Sequence, residues 1–408
     1  MRIFVRGTNW LGDAIMTTPA LLRLREKFPD AHVALLTPEK LGDLWTGHPA
    51  INETITFAPG ESVFSVGRKL RQRARKGPRI EPLNLPLASR LASDDSRPPA
   101  VPSSFPSPIL MGEGKEEAKF DLALVFPNSP RSAIETWLAD IPRRIGYARP
   151  WRNFFLTQAI PPRAEAVKMR KPSVAEINQL ISRTPDARPR TPASAHQIHE
   201  YLQLVAALGA NPQPLPPQLF IAPDEIDAAR KKFGLAGTTG PIFGLNPGAE
   251  YGPAKRWPVG HFIAAAREIQ KRTNCVWILF GGTNDTQIAG QIEPAIRHSS
   301  FVIRNLCGQT SLRGLMALLK SCRVLLTNDS GPMHVAAALG TPVVVPFGST
   351  SPELTGPGLP GDARHRLLKP DAPCAPCFRR ECPIDFRCLN GIPVEHVVDA
   401  VLNCSGAL

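Results

Sequence analysis

The sequence predicts an α/β fold with two parallel sheets. Short apolar runs alternate with helical segments in the first part of the chain, and the same rhythm returns after a proline-rich stretch. One unit shows it most completely, with a strand at Val324–Leu326, a helix at Met333–Leu339 and a second strand at Val343–Val345. This is a βαβ unit, and open α/β sheets bind ligands at the carboxyl ends of their strands. We therefore expect the corner between the first strand and the helix to face a ligand.

The first part of the chain reads as one sheet with helices on both faces. Strands are predicted at Met1–Val5, His32–Leu36, Thr54–Phe57 and Asp121–Phe126, with helices at about 13–28, 39–45 and 131–138 and from about Val63. Two stretches rich in proline and arginine, 77–118 and 168–195, have no such periodicity. We expect 77–118 to be a flexible surface insertion, which an open sheet tolerates at small entropic cost.

The second part repeats the pattern. A helix at His196–Leu208 precedes the linker Asn211–Gln218, and strands follow near Ile242–Leu245, Val276–Phe280, Phe301–Arg304 and the βαβ unit, with helices near 224–233, 261–271, 286–297 and 312–320. The predicted division is a first domain at 1–210, a linker at 211–218, a second domain at 219–392 and a terminal helix at 393–408. Two such sheets would leave a cleft suited to a two-substrate reaction.

The charge balance favours anionic partners. The 408 residues include 48 Lys and Arg against 35 Asp and Glu, a net charge of +13. Phosphorylated small molecules or an anionic membrane face rank above nucleic acid, because no single-sign block resembles a DNA-reading helix. The basic run Arg68–Arg79 is either a solvated face or a contact to an anionic acceptor or membrane. No secretory signal and no uninterrupted apolar stretch of about twenty residues occurs, so we expect a cytosolic protein.

The loop Gly7–Asp13 is the first candidate site. Its two glycines let the backbone approach a ligand, and Asp13 stands near a helix start in the predicted cleft. A carboxylate there suits a general base for a hydroxyl nucleophile. The alternative is a helix cap with no chemical role.

Two further loops follow strands of the second sheet. Asn246–Pro258 places Lys255 and Arg256 beside glycines, and cations with loop N–H groups can hold a diphosphate and stabilise it as a leaving group. The alternative is solvated surface charge. Phe280–Asp285 has a glycine pair that leaves room for a base or ribose, which Asp285 or Asn284 would bond.

The corner Asn328–Gly331 is the fourth candidate. Ser330 and Gly331 open the helix, so unpaired N–H groups and the positive end of the helix dipole point at any anion there. Asp329 would accept hydrogen bonds from sugar hydroxyls, and His334 would reach the same pocket from one turn into the helix. Equally open is that Asp329 is a cap and His334 a core histidine.

These loops together resemble the ADP-heptose:lipopolysaccharide heptosyltransferases, and within that family the heptosyltransferase II branch. The similarity rests on GTNWLGD at 7–13, NPG at 246–248 with KRWP at 255–258, and NDSGPMH at 328–334, in the family's order. It covers about 1–57, 120–157 and 219–402. The resemblance implies a GT-B fold, in which two Rossmann-like doubly wound domains face a central cleft, the first binding the acceptor and the second ADP-heptose.

The resemblance also implies an activity and roles for residues. The reaction would be an inverting transfer of L-glycero-D-manno-heptose from ADP-heptose to the first heptose of heptosyl-Kdo2-lipid A, an anionic lipopolysaccharide precursor. Asp13 matches the catalytic base and Lys255 the diphosphate-contacting lysine, while Thr8, Asn9 and Gly12 belong to the acceptor-side loop. The donor-binding positions are Asn246, Gly248, Arg256, Asp285, Asp329, Ser330, Gly331 and His334. No catalytic cofactor and no nucleic acid would be needed, and we expect a monomer in peripheral contact with the cytoplasmic face of the inner membrane.

Four cysteines near the end of the chain are clustered: Cys374, Cys377, Cys382 and Cys388. Their spacing suits a structural zinc site, although reduced thiols in a proline-rich loop are the simpler interpretation. Disulfides are not expected in a cytosolic chain.

Other functions stay open at this point. The sequence has no GxxxxGK[ST] and no GxGxxG after a strand, which counts against an ATPase or a dinucleotide oxidoreductase. Heptosyltransferase I, or another GT-B sugar-nucleotide transferase or epimerase, would share the fold. A non-catalytic module would bind polynucleotide through the basic stretches, with strong salt dependence.

Overall fold

Two six-stranded parallel sheets form the framework of the chain. A computed structural model describes residues 1–76, 119–182, 191–297 and 302–406. The strand orders are β3-β2-β1-β4-β5-β6 and β12-β11-β10-β7-β8-β9. This confirms the predicted pair of α/β sheets. The insertion predicted at 77–118 lies outside the described residues.

The strands are short and mostly buried. Those of the first sheet are β1 (Arg2–Arg6), β2 (His32–Pro38), β3 (Glu53–Phe57), β4 (Leu122–Val125), β5 (Arg143–Tyr147) and β6 (Gln158–Ile160). Those of the second sheet are β7 (Ile242–Asn246), β8 (Val276–Leu279), β9 (Ile303–Asn305), β10 (Val324–Thr327), β11 (Val343–Pro346) and β12 (Arg366–Leu368).

Helices cover the sheets. In the first part they are α1 (Leu11–Met16), α2 (Thr18–Lys27), α3 (Val63–Lys76), α4 (Pro130–Leu138), α5 (Val174–Ser182) and α6 (Ile198–Ala206). In the second they are α7 (Pro223–Lys232), α8 (Val259–Thr273), α9 (Thr286–Ile296), α10 (Leu312–Ser321), α11 (Gly331–Ala338), α12 (Pro352–Thr355), α13 (Arg387–Asn390) and α14 (Val394–Ser405). None of the helices in the described ranges is long and apolar enough to cross a membrane.

Alternate side chains of the first sheet pack into two different apolar clusters, one on each face. Ile3 and Val5 of β1 join the apolar cluster that contains α1, α2 and α6, whereas Phe4 joins the one that contains α3. The pattern follows from the two-residue side-chain period of a strand. The helices α3 and α4 therefore cover one face of this sheet, and α1, α2 and α6 cover the other.

The helix predicted at 13–28 is wrong in its start and its continuity. It begins at Leu11 and divides at Thr17, and α2 starts with Thr18 and Pro19. Proline has no N–H to continue the hydrogen-bond ladder, and the Thr18 hydroxyl donates to Ile15 O instead, at 2.8 Å. Because α1 starts at Leu11, Asp13 lies within its first turn and does not precede it.

Other differences follow from weak local signals. The segment predicted at Glu39–Trp45 is a 3-10 helix, the stretch 168–195 contains α5, and β5, β6 and β12 were not predicted. These strands lie towards or at sheet edges, and β6 and β12 are only three residues long. Such short runs carry little periodicity.

The two sheets meet through α1 and α11. A Cβ added to Gly331 would lie 2.8 Å from Leu11 Cδ2, and one added to Gly12 would lie 2.8 Å from His334 Cδ2. Both glycines therefore permit a helix contact that larger residues would obstruct. Gln197 N also donates to Leu354 O, at 2.9 Å. The terminal helix α14 packs against α8, on the second sheet.

Candidate active site

Asp13 lies in a cavity at the carboxyl edge of the first sheet. The cavity measures about 180 Å³, and its walls come from the loop after β1, the loop after β4 and the start of α6. Its lining residues are Thr8, Asn9, Trp10, Asp13, Phe126, Pro127, Asn128, Gln197, Glu200 and Tyr201. Thr8 and Asn9 thus share the cavity with Asp13, while Gly12 faces α11. Lys255 and Ser330 do not line this cavity.

The surroundings of Asp13 favour a proton acceptor. Burial raises the pKa of this carboxyl, and the charge of Glu200 acts in the same direction. The Gln197 amide, 3.4 Å from Asp13 Oδ1, and the positive charge of Lys255 partly oppose the rise. A carboxylate with a raised pKa is a stronger base than an ordinary aspartate.

A pH profile tests this electrostatic balance. The kcat/KM is expected to fall as pH drops through the raised pKa of Asp13, because only the carboxylate accepts a proton. Gln197→Leu removes a donor that favours the charged form, so the acid limb moves to higher pH by roughly half to one unit. Gln179→Leu, on the exposed side of α5, is the control and leaves the limb in place. An acid limb that is the same in all three proteins would contradict the assignment of Gln197.

A buried ion pair holds the loop after β1 in place. Arg6, 1% exposed, donates from Nε to Glu135 Oε2 at 2.7 Å and from Nη1 to Asn9 Oδ1 at 3.0 Å. Arg131 shares the same carboxylate, at 2.8 Å from Glu135 Oε1. A buried guanidinium held this way fixes the side chain that it bonds. The pair therefore orients Asn9 at the edge of the cavity.

Lys255 forms a buried ion pair on the second sheet. Its Nζ lies 2.6 Å from Asp329 Oδ2 and 4.9 Å from the centre of the Tyr251 ring. Thr350 Oγ1 donates to the same carboxylate oxygen, at 2.5 Å. The interpretation of Lys255 as solvated charge is therefore wrong, and Asp329 is its counter-ion.

The helix cap at the fourth corner is not Asp329. Ser330 is the residue before α11, and its side chain makes no capping bond; its hydroxyl accepts from Asn246 Nδ2, at 3.1 Å. Asn246 also donates to Thr327 Oγ1, at 2.9 Å. Asn246 therefore stabilises the corner by hydrogen bonds to its side chains, and α11 begins at Gly331. The first-turn N–H groups and the dipole give this corner an attraction for anions.

Gly248, Arg256 and Asp285 meet at one point. Asp285 Oδ2 accepts from Gly282 N at 2.9 Å, and Arg256 Nη2 lies 3.9 Å from Asp285 Oδ1. A Cβ added to Gly248 would lie 2.4 Å from Asp285 Cγ, so a glycine is required there. The structure thus brings Asp285 into contact with two residues of the Asn246–Pro258 loop, which the sequence places in a separate stretch.

His334 is buried between the two halves. It is 6% exposed, lies against Gly12, and burial lowers its pKa to about 4, so the ring is neutral near neutral pH. The charge of Asp329 raises the pKa of His334 in part, and the charge of Lys255 lowers it. The structure thus favours the core-histidine alternative, in a position between α1 and the corner at the start of α11.

Three residues of α6 and its start were missed by the sequence analysis. Gln197 and Glu200 line the Asp13 cavity, and Tyr201 accepts a hydrogen bond from Gln197 Nε2 at 2.9 Å. Their only local signal was a polar stripe on a helix whose partner face is apolar. Some 184 residues separate Gln197 from Asp13, so only the fold brings them together.

The four clustered cysteines line one small cavity. Burial raises the pKa of Cys388 to about 12, with contributions from the three neighbouring cysteines. Across the described ranges, no group of three or more His, Cys, Asp or Glu side chains is arranged to hold a metal ion. The zinc prediction for Cys374, Cys377, Cys382 and Cys388 therefore finds no support in the structure.

The loop that carries these cysteines contacts the Lys255 loop. Tyr251 Oη donates to Phe378 O and Arg380 Nε donates to Tyr251 O, both at 2.7 Å. Ala254 N donates to Arg380 O, at 3.1 Å. The cysteine loop thereby fixes the position of the ring that Lys255 contacts.

Comparisons with known proteins agree on one family. The model of glycosyltransferase family 9 (heptosyltransferase) matches residues 115–386. Lipopolysaccharide heptosyltransferase 2 of Escherichia coli K12 is 28% identical over 388 residues, or 91% of this chain and 92% of that protein. The protein of the same name from Salmonella typhimurium LT2 is 28% identical over 365 residues, or 88% and 85%. The solved structure of E. coli ADP-heptose lipopolysaccharide heptosyltransferase II aligns with a TM-score of 0.70 at 24% identity, over 99% of this chain and 98% of that one.

The fold and the site together define a GT-B glycosyltransferase. One of the two parallel α/β sheets carries the buried carboxylate of Asp13, and the other carries the pair of Lys255 with Asp329 next to the start of α11. The chain belongs to glycosyltransferase family 9, the heptosyltransferases.

Proposed function

We propose that the protein transfers L-glycero-D-manno-heptose from ADP-heptose to the first heptose of the lipopolysaccharide inner core, carried by heptosyl-Kdo2-lipid A. The names of the two relatives, each aligned over most of its length, support this substrate class. Asp13 acts as general base and Lys255 stabilises the departing diphosphate. The configuration at the anomeric carbon inverts.

One observation carries the proposal: α1, which bears Asp13, packs closely against α11, whose start adjoins the pair of Lys255 with Asp329. Two groups with opposite tasks therefore lie on the two sides of the contact between α1 and α11. A single displacement needs this arrangement, with the base on the acceptor side and the cation on the leaving-group side.

The reaction follows from these positions. Asp13 accepts the proton of the acceptor hydroxyl while the oxygen of that hydroxyl attacks the anomeric carbon of the donor. The bond from that carbon to the diphosphate oxygen breaks, and ADP leaves with the electron pair. Lys255 and the first-turn N–H groups of α11 stabilise the charge that develops on the diphosphate. The step requires no covalent intermediate with the protein and no metal.

Lys255 has to change partners when the donor binds. Its pair with Asp329 is mostly shielded from water, with side-chain exposures of 15% and 4%, so the lysine is already partly desolvated before the diphosphate arrives. A phosphate oxygen would compete with Asp329 for the ammonium group. Asp329, still bonded by Thr350, would then accept a hydroxyl of the transferred sugar.

A transfer assay with ADP-heptose and three acceptors tests the function. The acceptors carry no heptose, one heptose or two heptoses on the Kdo-lipid A core. We expect turnover with the one-heptose acceptor and at most slow turnover with the others. Preference for the heptose-free acceptor would indicate heptosyltransferase I. Turnover of a UDP-sugar in place of ADP-heptose would contradict the assignment of ADP-heptose as the donor.

The proposal includes a place for the reaction. We propose a monomer on the cytoplasmic face of the inner membrane, because a lipid-linked anionic acceptor would hold a chain of net charge +13 at that surface.

A further inference from the structure

The exposed aromatic side chains are unevenly distributed. Among the described residues, every aromatic side chain that is largely exposed lies before residue 155. These are Trp10, Phe64, Trp137, Trp151 and Phe154. Trp151 is 86% exposed and Phe154 is 91% exposed. A single exposed ring is ordinary on a protein surface, but apolar rings that are exposed together indicate an interaction site.

Four of the five lie on one face of the first sheet. Phe64 belongs to α3, Trp137 to α4, and Trp151 and Phe154 to the loop between β5 and β6. The three elements are contiguous: Arg71 of α3 donates from Nη2 to the backbone O of the last residue of α4, at 2.7 Å. The rings of Trp137 and Phe155 are in contact, with centroids 5.6 Å apart. We call these elements the aromatic face.

Positive charge lies on the same face. The α3 sequence VFSVGRKLRQRARK contains six Lys and Arg and no Asp or Glu. Arg68 and Arg71 are exposed, on the same helix as Phe64. The apolar residues of α3 face the sheet, so its solvent side is formed largely by cations. Aromatic rings with arginines and lysines are typical of protein surfaces that enter the headgroup region of a bilayer.

The loop of the aromatic face is tied to the rim of the Asp13 cavity. Trp151 has a φ of 64°, a left-handed conformation that few non-glycine residues adopt, and its ring points into solvent. The next residue, Arg152, is buried and donates from Nη1 to Asn128 Oδ1 at 3.4 Å. Asn128 lines the cavity. The saccharide of an acceptor anchored in a membrane under this face would therefore lie close to the Asp13 cavity.

We propose that the aromatic face docks on an anionic lipid bilayer, with Trp151 and Phe154 at the headgroup level and the arginines of α3 on lipid phosphates. The proposal rests on the proposed function, because a lipid-linked acceptor places the reaction at a membrane. The rings and cations are spread over a helix pair and a loop. Such a breadth suits an extended anionic surface better than a single polynucleotide strand, which follows a groove.

Vesicle co-sedimentation of the full chain tests the proposal. The probes are vesicles of equimolar phosphatidylglycerol and phosphatidylethanolamine, and vesicles of phosphatidylcholine alone. We expect binding to the anionic vesicles that falls with salt. The double variant Trp151→Ser and Phe154→Ser should bind roughly tenfold more weakly, because two rings lose their apolar contact. Arg68→Gln should weaken binding about fivefold, as expected for one cation at an anionic surface.

Matched substitutions on the second sheet are the controls. Val302, 43% exposed, changed to serine and Lys231, exposed on α7, changed to glutamine should leave vesicle binding unchanged. Equal binding by the aromatic double variant and the unchanged protein would overturn the proposal. So would tighter binding to a polynucleotide than to anionic vesicles at the same salt.

The two proposals fail separately. Vesicle binding is measured without turnover, so a protein that binds vesicles but does not use ADP-heptose would contradict only the function. Conversely, the aromatic double variant should keep its turnover of a lipid-free acceptor saccharide, since none of its changed residues lines the cavity. Loss of that turnover together with unchanged vesicle binding would overturn the membrane role of Trp151 and Phe154.

Discussion

Asp13→Asn is expected to lower kcat by about 10²–10⁴-fold, which is the usual contribution of a general base. Asparagine keeps the shape of the side chain and its bond from Gln197 but cannot accept the proton of the acceptor hydroxyl. ADP affinity should stay largely unchanged, because the cavity of Asp13 is formed by the first sheet and α6 and not by the donor corner. Steady-state kinetics and ADP titration by calorimetry measure the two quantities.

Two other carboxylates provide the controls for Asp13→Asn. Glu200→Gln changes the second carboxylate of the same cavity, and we expect a smaller loss of kcat because Glu200 acts on the pKa of Asp13 and does not take the proton itself. Asp30→Asn, at an exposed position, should have no effect. Near-normal turnover by Asp13→Asn, or a larger loss in Glu200→Gln, would remove Asp13 from the role of base.

Lys255→Ala is expected to weaken donor binding and to lower kcat by about 10²–10³-fold, as when one charge-stabilising donor is removed from a transition state. It should also lower the free energy of unfolding by up to about 3 kcal/mol, because Asp329 would be left as a buried carboxylate without its cation. Donor kinetics and urea unfolding measure these effects.

The double variant Lys255→Ala with Asp329→Asn separates catalysis from stability. Removing both charges eliminates the unpaired carboxylate, so most of the lost stability should return while kcat remains low. Recovery of kcat together with stability would mean that Lys255 acts only as a structural partner of Asp329. Unchanged donor kinetics in the single variant would contradict any contact with the diphosphate.

The sheets and the loops at their ends could be predicted from the sequence because both leave local signals. Buried parallel strands such as Val343–Pro346 are continuous apolar runs, and the polar residues that follow them have no packing role that explains them. Gly248 and Asp285 were found separately, and the structure brings them into contact. The order of motifs, which carried the family resemblance, also survives any change in the loops between them.

What the sequence could not predict depends on contacts between distant segments. The pair of Lys255 with Asp329 joins two loops of the second sheet, and each residue alone looked like surface charge or a helix cap. Gln197 reaches Asp13 only because α6 packs against the first sheet and α2. The burial of His334 likewise depends on the approach of α1, which Gly12 permits. Periodicity and capping signals act over a few residues and carry no information about such pairs.

Two halves of one reaction centre, held together by the contact between α1 and α11, are the basis of the proposed mechanism. A crystal structure of the protein with ADP and an acceptor saccharide bound tests it most directly. The diphosphate should lie at the start of α11 within hydrogen-bond distance of Lys255, and an acceptor hydroxyl should lie within hydrogen-bond distance of an Asp13 carboxylate oxygen, facing the diphosphate. ADP bound away from Lys255, or an acceptor whose hydroxyls all lie beyond the reach of Asp13, would contradict the mechanism.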